Sequence, residues 1–276
     1  MCTFKITNCP ENLYIDDFLP LGGPDGKKTI ESDGVHYTHH LLSITGEKTL
    51  QPIKYNDKIY MLLGEVYNYD KNLPSDIYYV IKMYETYGEK FYEHLDGEYL
   101  IIVKDKNEIN FFTDIWSTRQ IWYGEFDSYF YFSTMPLSEK SMNRFNHIHG
   151  KRRKIETRLQ NNSHYVFDLV NKKLTQKNDC LYQWNLDQYK EDLNDWNEAF
   201  EEAVVKRWHP NLLLGLSGGL DSTAIALCLS DKKLKFNSLN INFNEAEDMQ
   251  TYLQACLYTK DYNDRSEEHT SELQSH

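Results

Sequence analysis

The chain has 276 residues and a net charge of −12, with 42 Asp and Glu against 30 Lys and Arg, a balance that argues against general binding to nucleic acid or to an anionic membrane. Its length allows one large domain or two ordinary ones with cores of their own. No run approaches the ~18 apolar residues of a membrane-spanning helix, and no basic-then-apolar leader opens the chain, so the expectation is a soluble, cytoplasmic protein.

Short runs rich in β-branched and aromatic residues predict strands at 2–7, 36–44, 58–66, 98–104, 109–113 and 129–133, punctuated by Gly, Asn, Asp and Pro. Ser75 opens a helix whose apolar face is Ile77, Val80, Ile81 and Tyr84, and Gly88 closes it. Strands with a few helices predict a layered α+β domain over 1–140. Residues 141–188 read as a polar, irregular connecting segment, and its basic run Lys151–Lys154 reads as a solvated face. Leu193, Trp196, Phe200, Ala203, Val204 and Trp208 then recur at helical spacing, as the core stripe of a long amphipathic helix. A buried apolar strand at 212–216, a Gly-rich turn, a helix at 222–230, a strand at 236–243 and a helix at 245–258 follow. That order opens an α/β doubly wound parallel sheet over 189–264. The five cysteines contain no CxxC pair, which removes a disulfide framework and a structural zinc site from the expectations.

The turn Ser217-Gly218-Gly219-Leu220-Asp221-Ser222 lies between a strand and a helix, where turn and helix N–H groups converge on an anion. Gly218 and Gly219 lack Cβ atoms and let a phosphate reach the main chain. Ser217 and Ser222 add hydroxyl donors. Asp221 would repel a bare phosphate, so its natural role is to hold Mg²⁺ against phosphate oxygens. No Lys precedes the Ser, so this is not a Walker A loop. The motif resembles the pyrophosphate loop of the ATP pyrophosphatase superfamily, which implies ATP and Mg²⁺ as cofactors and activation of a carboxylate as its adenylate.

Cys2 follows the initiator Met, whose removal would leave a thiol beside its own α-amine, a base with pKa about 7.7–8.0. Gly23-Pro24-Asp25, His39-His40-Leu41-Leu42-Ser43-Ile44, Gln51-Pro52, Gly64-Glu65, Ser75-Asp76, Leu95-Asp96-Gly97, Asp114 and Trp122-Tyr123-Gly124 follow in order. This collinear set resembles class-II glutamine amidotransferase domains. With the second domain, the chain from Cys2 to about Tyr258 is similar to the glutamine-hydrolysing asparagine synthetase family. The resemblance implies a four-layer αββα N-terminal-nucleophile fold before the doubly wound domain. It also implies Cys2 as nucleophile on the glutamine amide, with Leu41, Ser43, Leu63, Gly64, Glu65 and Asp76 at the glutamine-binding positions and Gly215 and Ile241 against the adenosine. Its implied reaction converts aspartate, ATP and glutamine or ammonia to asparagine, and a homodimer is among the expectations.

Two departures stand out. Leu41 replaces an Arg that clamps the glutamine carboxylate, and Leu63 replaces an Asn that supplies an oxyanion donor. Loss of one such donor costs on the order of 10²–10³ in rate, so an impaired glutaminase is expected. That leaves two alternatives open: an adenylate-forming ligase with a vestigial amidotransferase domain, as in β-lactam-forming synthetases, and a non-catalytic nucleotide-binding module. Residues 265–276 read as the in-frame translation of a widely used sequencing-adapter strand, so a natural chain running past Asp264 is expected.

Overall fold

β1 (Thr3–Thr7) alternates as a strand must: Phe4 and Ile6 turn into one core, while Thr3, Lys5 and Thr7 face the other way. All five are buried. The computed structural model describes residues 2–10, 18–116, 118–126, 128–138, 143, 155–185, 191–217 and 219–239. The chain divides into two units, Met1–Leu186 and Asp187–His276.

In the first unit β1 pairs antiparallel with β3 (Val35–Leu41), which pairs with β2 (Gly26–Ser32). On its other side β1 pairs with β9 (Tyr129–Ser133), and β8 (Trp122–Phe126) and β10 (Ile155–Arg158) complete a six-stranded sheet. A second six-stranded sheet holds β4 (Ile53–Tyr55), β5 (Lys58–Val66), β6 (Gly97–Asp105), β7 (Glu108–Thr113), β11 (His164–Asp168) and β12 (Lys173–Asn178). Its strands also pair antiparallel, in the order β4-β5-β6-β7-β11-β12.

The two sheets share a core in which Phe4, Ile6, Tyr37 and Phe132 meet Met61, Leu63, Leu100, Ile102 and Phe111. The far face of the second sheet packs Tyr60, Leu62, Ile101, Val103 and Phe112 under α2 (Asp76–Tyr87). That helix contributes Ile77, Val80, Ile81 and Tyr84, and the following 3₁₀ turn Gly88–His94 adds Phe91. β5 therefore feeds two cores and reads as a nearly unbroken apolar run, because both its faces are covered. The short α1 (Leu19–Gly22) touches β1 and β3, and Thr3 Oγ1 donates to Leu19 O at 2.5 Å. The expected layered α+β domain is thus present as helix, sheet and sheet among the described residues.

The stretch expected to be an irregular connector is corrected. Three strands, β10, β11 and β12, fall within 155–178, so the first unit extends well past residue 140. β11 places Tyr165 and Phe167 in the inter-sheet core. β12 is an edge strand with only Leu174 packed against that core, and its sequence KLTQKN carries little apolar pattern. Edge position also explains why β2, with exposed Lys and Glu side chains, escapes a reading based on apolar runs.

The second unit holds α3 (Asn194–Lys206), β13 (Leu213–Gly215), α4 (Leu220–Asp231) and β14 (Asn237–Leu239), with β13 and β14 parallel. Two expectations fail here. α3 buries none of its residues, and β13 is open rather than buried, with Leu213 59 % exposed. Among the described residues only two strands accompany the helix stripe, and Trp196 and Phe200 stack on each other, with ring centroids 5.5 Å apart. The basic run 151–154 and the helix expected at 245–258 lie outside the described residues. Among the described residues no helix is long and apolar enough to cross a membrane.

Phe111 and Phe132 join the two sheets, their ring centroids 4.4 Å apart. Phe111→Ala should cost about 3–5 kcal/mol, read as a lowered midpoint in urea unfolding followed by tryptophan fluorescence. An unchanged midpoint would mean that this contact does not hold the sheets together.

Candidate active site

The pairing of β1 with β3 brings Cys2 to the chain leaving β3. Thr3 lies opposite His40, and one step further Leu42 N–H donates to Cys2 Sγ at 3.3 Å, while the thiol points at Leu42 O, 3.6 Å away. Cys2 packs against the inter-sheet core, and burial pushes its thiol pKa up. The Leu42 hydrogen bond, the chain terminus and the Arg119 charge oppose that rise, whereas Glu65 adds to it.

A cleft opens beside the thiol, and Leu41, Ser43, Gly64, Glu65 and Asp76 line it with Cys2. Its β3 wall is held by the loop before β2: Ser43 N–H donates to Asp25 Oδ2 at 2.7 Å, and Asp25 N–H to Leu41 O at 2.9 Å. The opposite wall is the end of β5. Gly64 there has φ of +118°, and a Cβ would lie 1.9 Å from Glu98 O, so only glycine fits. Gln51 steadies the same strand, its Oε1 accepting from Leu62 N–H at 2.6 Å.

The two acids of the cleft are half-buried, and the Asp76 charge acts on Glu65. Burial and then Asp76 raise the Glu65 pKa to about 7, against the pull of Arg119 and Lys71. The Asp76 carboxyl is also raised by burial, although it accepts from Val66 N–H and Ser75 Oγ, both at 3.0 Å. Ser75 thus starts α2 as expected, but its hydroxyl serves Asp76 rather than a helix N–H.

Of the six positions expected to bind glutamine, five line the cleft with Cys2. Leu63 is fully buried in the inter-sheet core beside it and brings no side-chain donor. Leu41 makes the β3 wall apolar at 7 % exposure. Sequence reasoning missed Arg119, whose charge is felt at both Cys2 and Glu65. The signal for it lies in Asp114, an Asx-type anchor that accepts from Trp116 N–H and Thr118 N–H at 2.9 and 3.1 Å and so shapes the turn carrying Arg119.

In the second unit the glycine-rich turn leaves β13 at Gly215 and enters α4 through Gly219. Ser217 Oγ lies 3.3 Å from Ser222 Oγ, and Ser222 Oγ and Thr223 Oγ1 donate to Gly219 O at 3.2 and 2.9 Å. Asp221 sits exposed in the first turn of the helix. Gly218 and Ile241 lie outside the described residues. No cluster of three metal-ligating side chains occurs among the described residues. Exposed hydroxyls at a strand-to-helix turn, with one free-standing carboxylate, fit a phosphate and a hydrated Mg²⁺ bridged to it.

A model of the glutamine amidotransferase domain matches residues 15–136, beginning after Cys2. A Methanocaldococcus jannaschii protein named as a glutamine-hydrolysing asparagine synthetase is 28 % identical over 78 % of this chain and 43 % of its own. One from Dictyostelium discoideum with the same name is 26 % identical over 79 % of this chain and 42 % of its own. The chain therefore spans less than half the length of these relatives. Among solved structures, the glutamine phosphoribosylpyrophosphate amidotransferase of B. subtilis is 8 % identical, with a TM-score of 0.46 over 91 % of this chain and 70 % of its own. A class-II glutamine aminotransferase domain protein of Silicibacter pomeroyi is 9 % identical, with a TM-score of 0.35 over 64 % of this chain and 91 % of its own.

Because the folded Glu65 pKa lies near 7, above its ordinary 4.5, ionising this side chain opposes folding. Its cost is absent below about pH 4.5, grows as the pH rises through 7 and is then constant. Glu65→Gln should therefore gain in Tm relative to the wild type as the pH climbs through that window. Parallel Tm–pH curves would contradict the buried-acid reading.

Proposed function

We propose, from the match of residues 15–136 to a glutamine amidotransferase domain and the likeness to two proteins named as asparagine synthetases, that Cys2 hydrolyses the side-chain amide of glutamine to release ammonia. The observation that carries this reading is the thiol held at the mouth of a cleft lined by Gly64, Glu65 and Asp76. Once Met1 is removed, the α-amine of Cys2 takes the thiol proton and Sγ attacks the amide carbon. The C–N bond then breaks, the amine's proton goes to the departing nitrogen, and ammonia leaves. Water hydrolyses the remaining thioester to glutamate and the free thiol. The α-ammonium of the substrate suits the two carboxylates, Glu65 and Asp76.

In the second unit we infer an ATP site. Ser217, Gly218, Gly219, Ser222 and the first turn of α4 would hold the phosphates, Gly215 and Ile241 the adenosine, and Asp221 the Mg²⁺. Bound there, Mg-ATP supplies activation of a carboxylate, which in the whole protein would be that of aspartate, with ammonia as the acceptor and asparagine as the product. The matches to named asparagine synthetases and the strand–turn–helix form of the loop support this reading. A homodimer and a cytoplasmic location belong to the same proposal.

A second reading keeps the ligase and gives up the glutaminase, so that the nitrogen comes from free ammonia or another amine. Leu41 and Leu63 favour it, since neither offers a polar group to the amide or the carboxylate.

The first of two measurements separates these readings, and the second tests the ATP site that both share. Ammonia release from glutamine should fall to background in Cys2→Ala; equal background release by the wild type would leave the second reading standing. Mg-ATP binding, followed by calorimetry, should weaken at least ~10-fold in Asp221→Ala, in keeping with the loss of a carboxylate that holds the metal. Binding unchanged in that variant would remove Asp221 from the site.

A further inference from the structure

The Cys2 thiol faces a cleft whose charged side chains all carry one sign. We propose that the same thiol also hydrolyses ω-amino amides, primary carboxamides with an ammonium at the far end and no carboxylate, and takes them in preference to glutamine. This inference rests on Cys2 as the amide-cleaving nucleophile and adds a second substrate class to its cleft.

Glu47, Glu65 and Asp76 line the cleft, and none of the described residues that line it is Lys, Arg or His. Asp76 has neutral donors, Val66 N–H and Ser75 Oγ, both at 3.0 Å. Glu65 accepts no hydrogen bond and joins no ion pair among the described residues. A half-buried carboxylate without a partner is costly, and an arriving ammonium supplies the missing counter-ion.

The neighbouring cations are engaged outside the lining. Lys71 Nζ lies 3.7 Å above the Tyr69 ring, the Lys48 stem runs beside Gly26, and one Arg119 Nη donates to Thr118 O at 3.0 Å. The chain terminus is felt at the thiol, but as the base it works in its neutral form.

The β3 side therefore gives a carboxylate little to bind. Leu41, Leu42 and Ile44 make it apolar, and its backbone donors are already committed. Leu42 N–H donates to Cys2 Sγ at 3.3 Å, Ser43 N–H to Asp25 Oδ2 at 2.7 Å and Glu47 N–H to Pro74 O at 3.3 Å. The hydroxyls of Ser43 and Thr45 are neutral donors, which serve a carboxylate less well than a cation does. A carboxylate carried in beside three acids loses hydration and finds no opposite charge in the lining.

An ω-amino amide avoids that cost. Its ammonium meets Glu65 and Asp76, its methylenes lie against the apolar side, and its amide reaches Cys2. Sγ attacks the amide carbon, the C–N bond breaks and ammonia leaves with the proton held by the α-amine. Water then splits the thioester into the ω-amino acid and the free thiol.

The test follows ammonia release by the wild type, Cys2→Ala and Glu65→Gln from three amides. These are 4-aminobutanamide, which is glutamine with hydrogen in place of the α-carboxylate, glutamine itself, and butanamide, which lacks both charges. In the wild type kcat/KM for 4-aminobutanamide should exceed that for glutamine at least ~10-fold, in line with an uncompensated buried charge, and Cys2→Ala should abolish it. Glu65→Gln should raise KM for 4-aminobutanamide about 10-fold, as for a lost charge-assisted contact, and narrow its lead over butanamide. Cys2-dependent release from 4-aminobutanamide with none from glutamine would uphold the inference while the glutaminase reading fails. Glutamine cleaved as well as 4-aminobutanamide, or better, would overturn the inference and leave the glutaminase standing. Release from neither would overturn both.

Discussion

At Gly64 and Gly97 two strand backbones come closer than any side chain permits. A Cβ on Gly64 would meet Glu98 O at 1.9 Å, and one on Gly97 would meet Glu65 O at 2.3 Å. Between these points Glu65 lies directly opposite Glu98 in the β5–β6 register. Placing like charges opposite each other is unfavourable in a sheet. Two glycines and a pair of acids at the end of an otherwise apolar ladder make poor sense for stability alone. They make sense as a way of turning Glu65 toward a cleft, because the squeeze sets the strand end while the apolar remainder of β5 and β6 anchors both cores.

The electrostatics of the cleft follow from that placement. Burying Glu65 and Asp76 beside one another lifts both carboxyl pKa values, and burial also lifts that of the thiol. A thiolate is therefore not favoured at rest, and the cleft needs a base. His39 faces inward from β3 near the same region, but burial and the neighbouring His40 push its pKa down to about 4, which keeps it neutral and weakly basic. The α-amine of Cys2 has neither defect. It travels with the nucleophile, needs no further side chain, and lies near neutrality by its ordinary pKa of about 7.7–8.0. In the proposed glutaminase a terminal nucleophile beside the first strand would thus be a self-contained answer to a site whose burial raises the thiol pKa.

What could be read from the sequence depended on whether a residue's role was local. β5 and β9 were readable to their ends, because an apolar run between turn residues is a local signal. The stripe of α2 and its Ser75 and Gly88 boundaries were readable for the same reason. β2 and β12 were not, since edge strands have one open side and tolerate Lys, Glu and Gln. β11 was lost because its two core residues, Tyr165 and Phe167, sit in a polar neighbourhood and acquire meaning only beside β7. Arg119 was invisible on similar grounds: its charge is felt at Cys2 through a turn that Asp114 gathers and ties to Tyr99, fifteen residues earlier in the chain.

Recognition and rate draw on different parts of this cleft. Contacts to the ammonium and carboxylate of a substrate are the same before and during attack, so they set binding and leave the chemical barrier nearly untouched. Contacts to the oxyanion exist only as the tetrahedral species forms, and they lower the barrier. In the proposed glutaminase Glu65 and Asp76 would belong to the first kind, and Leu63 brings no side-chain donor of the second.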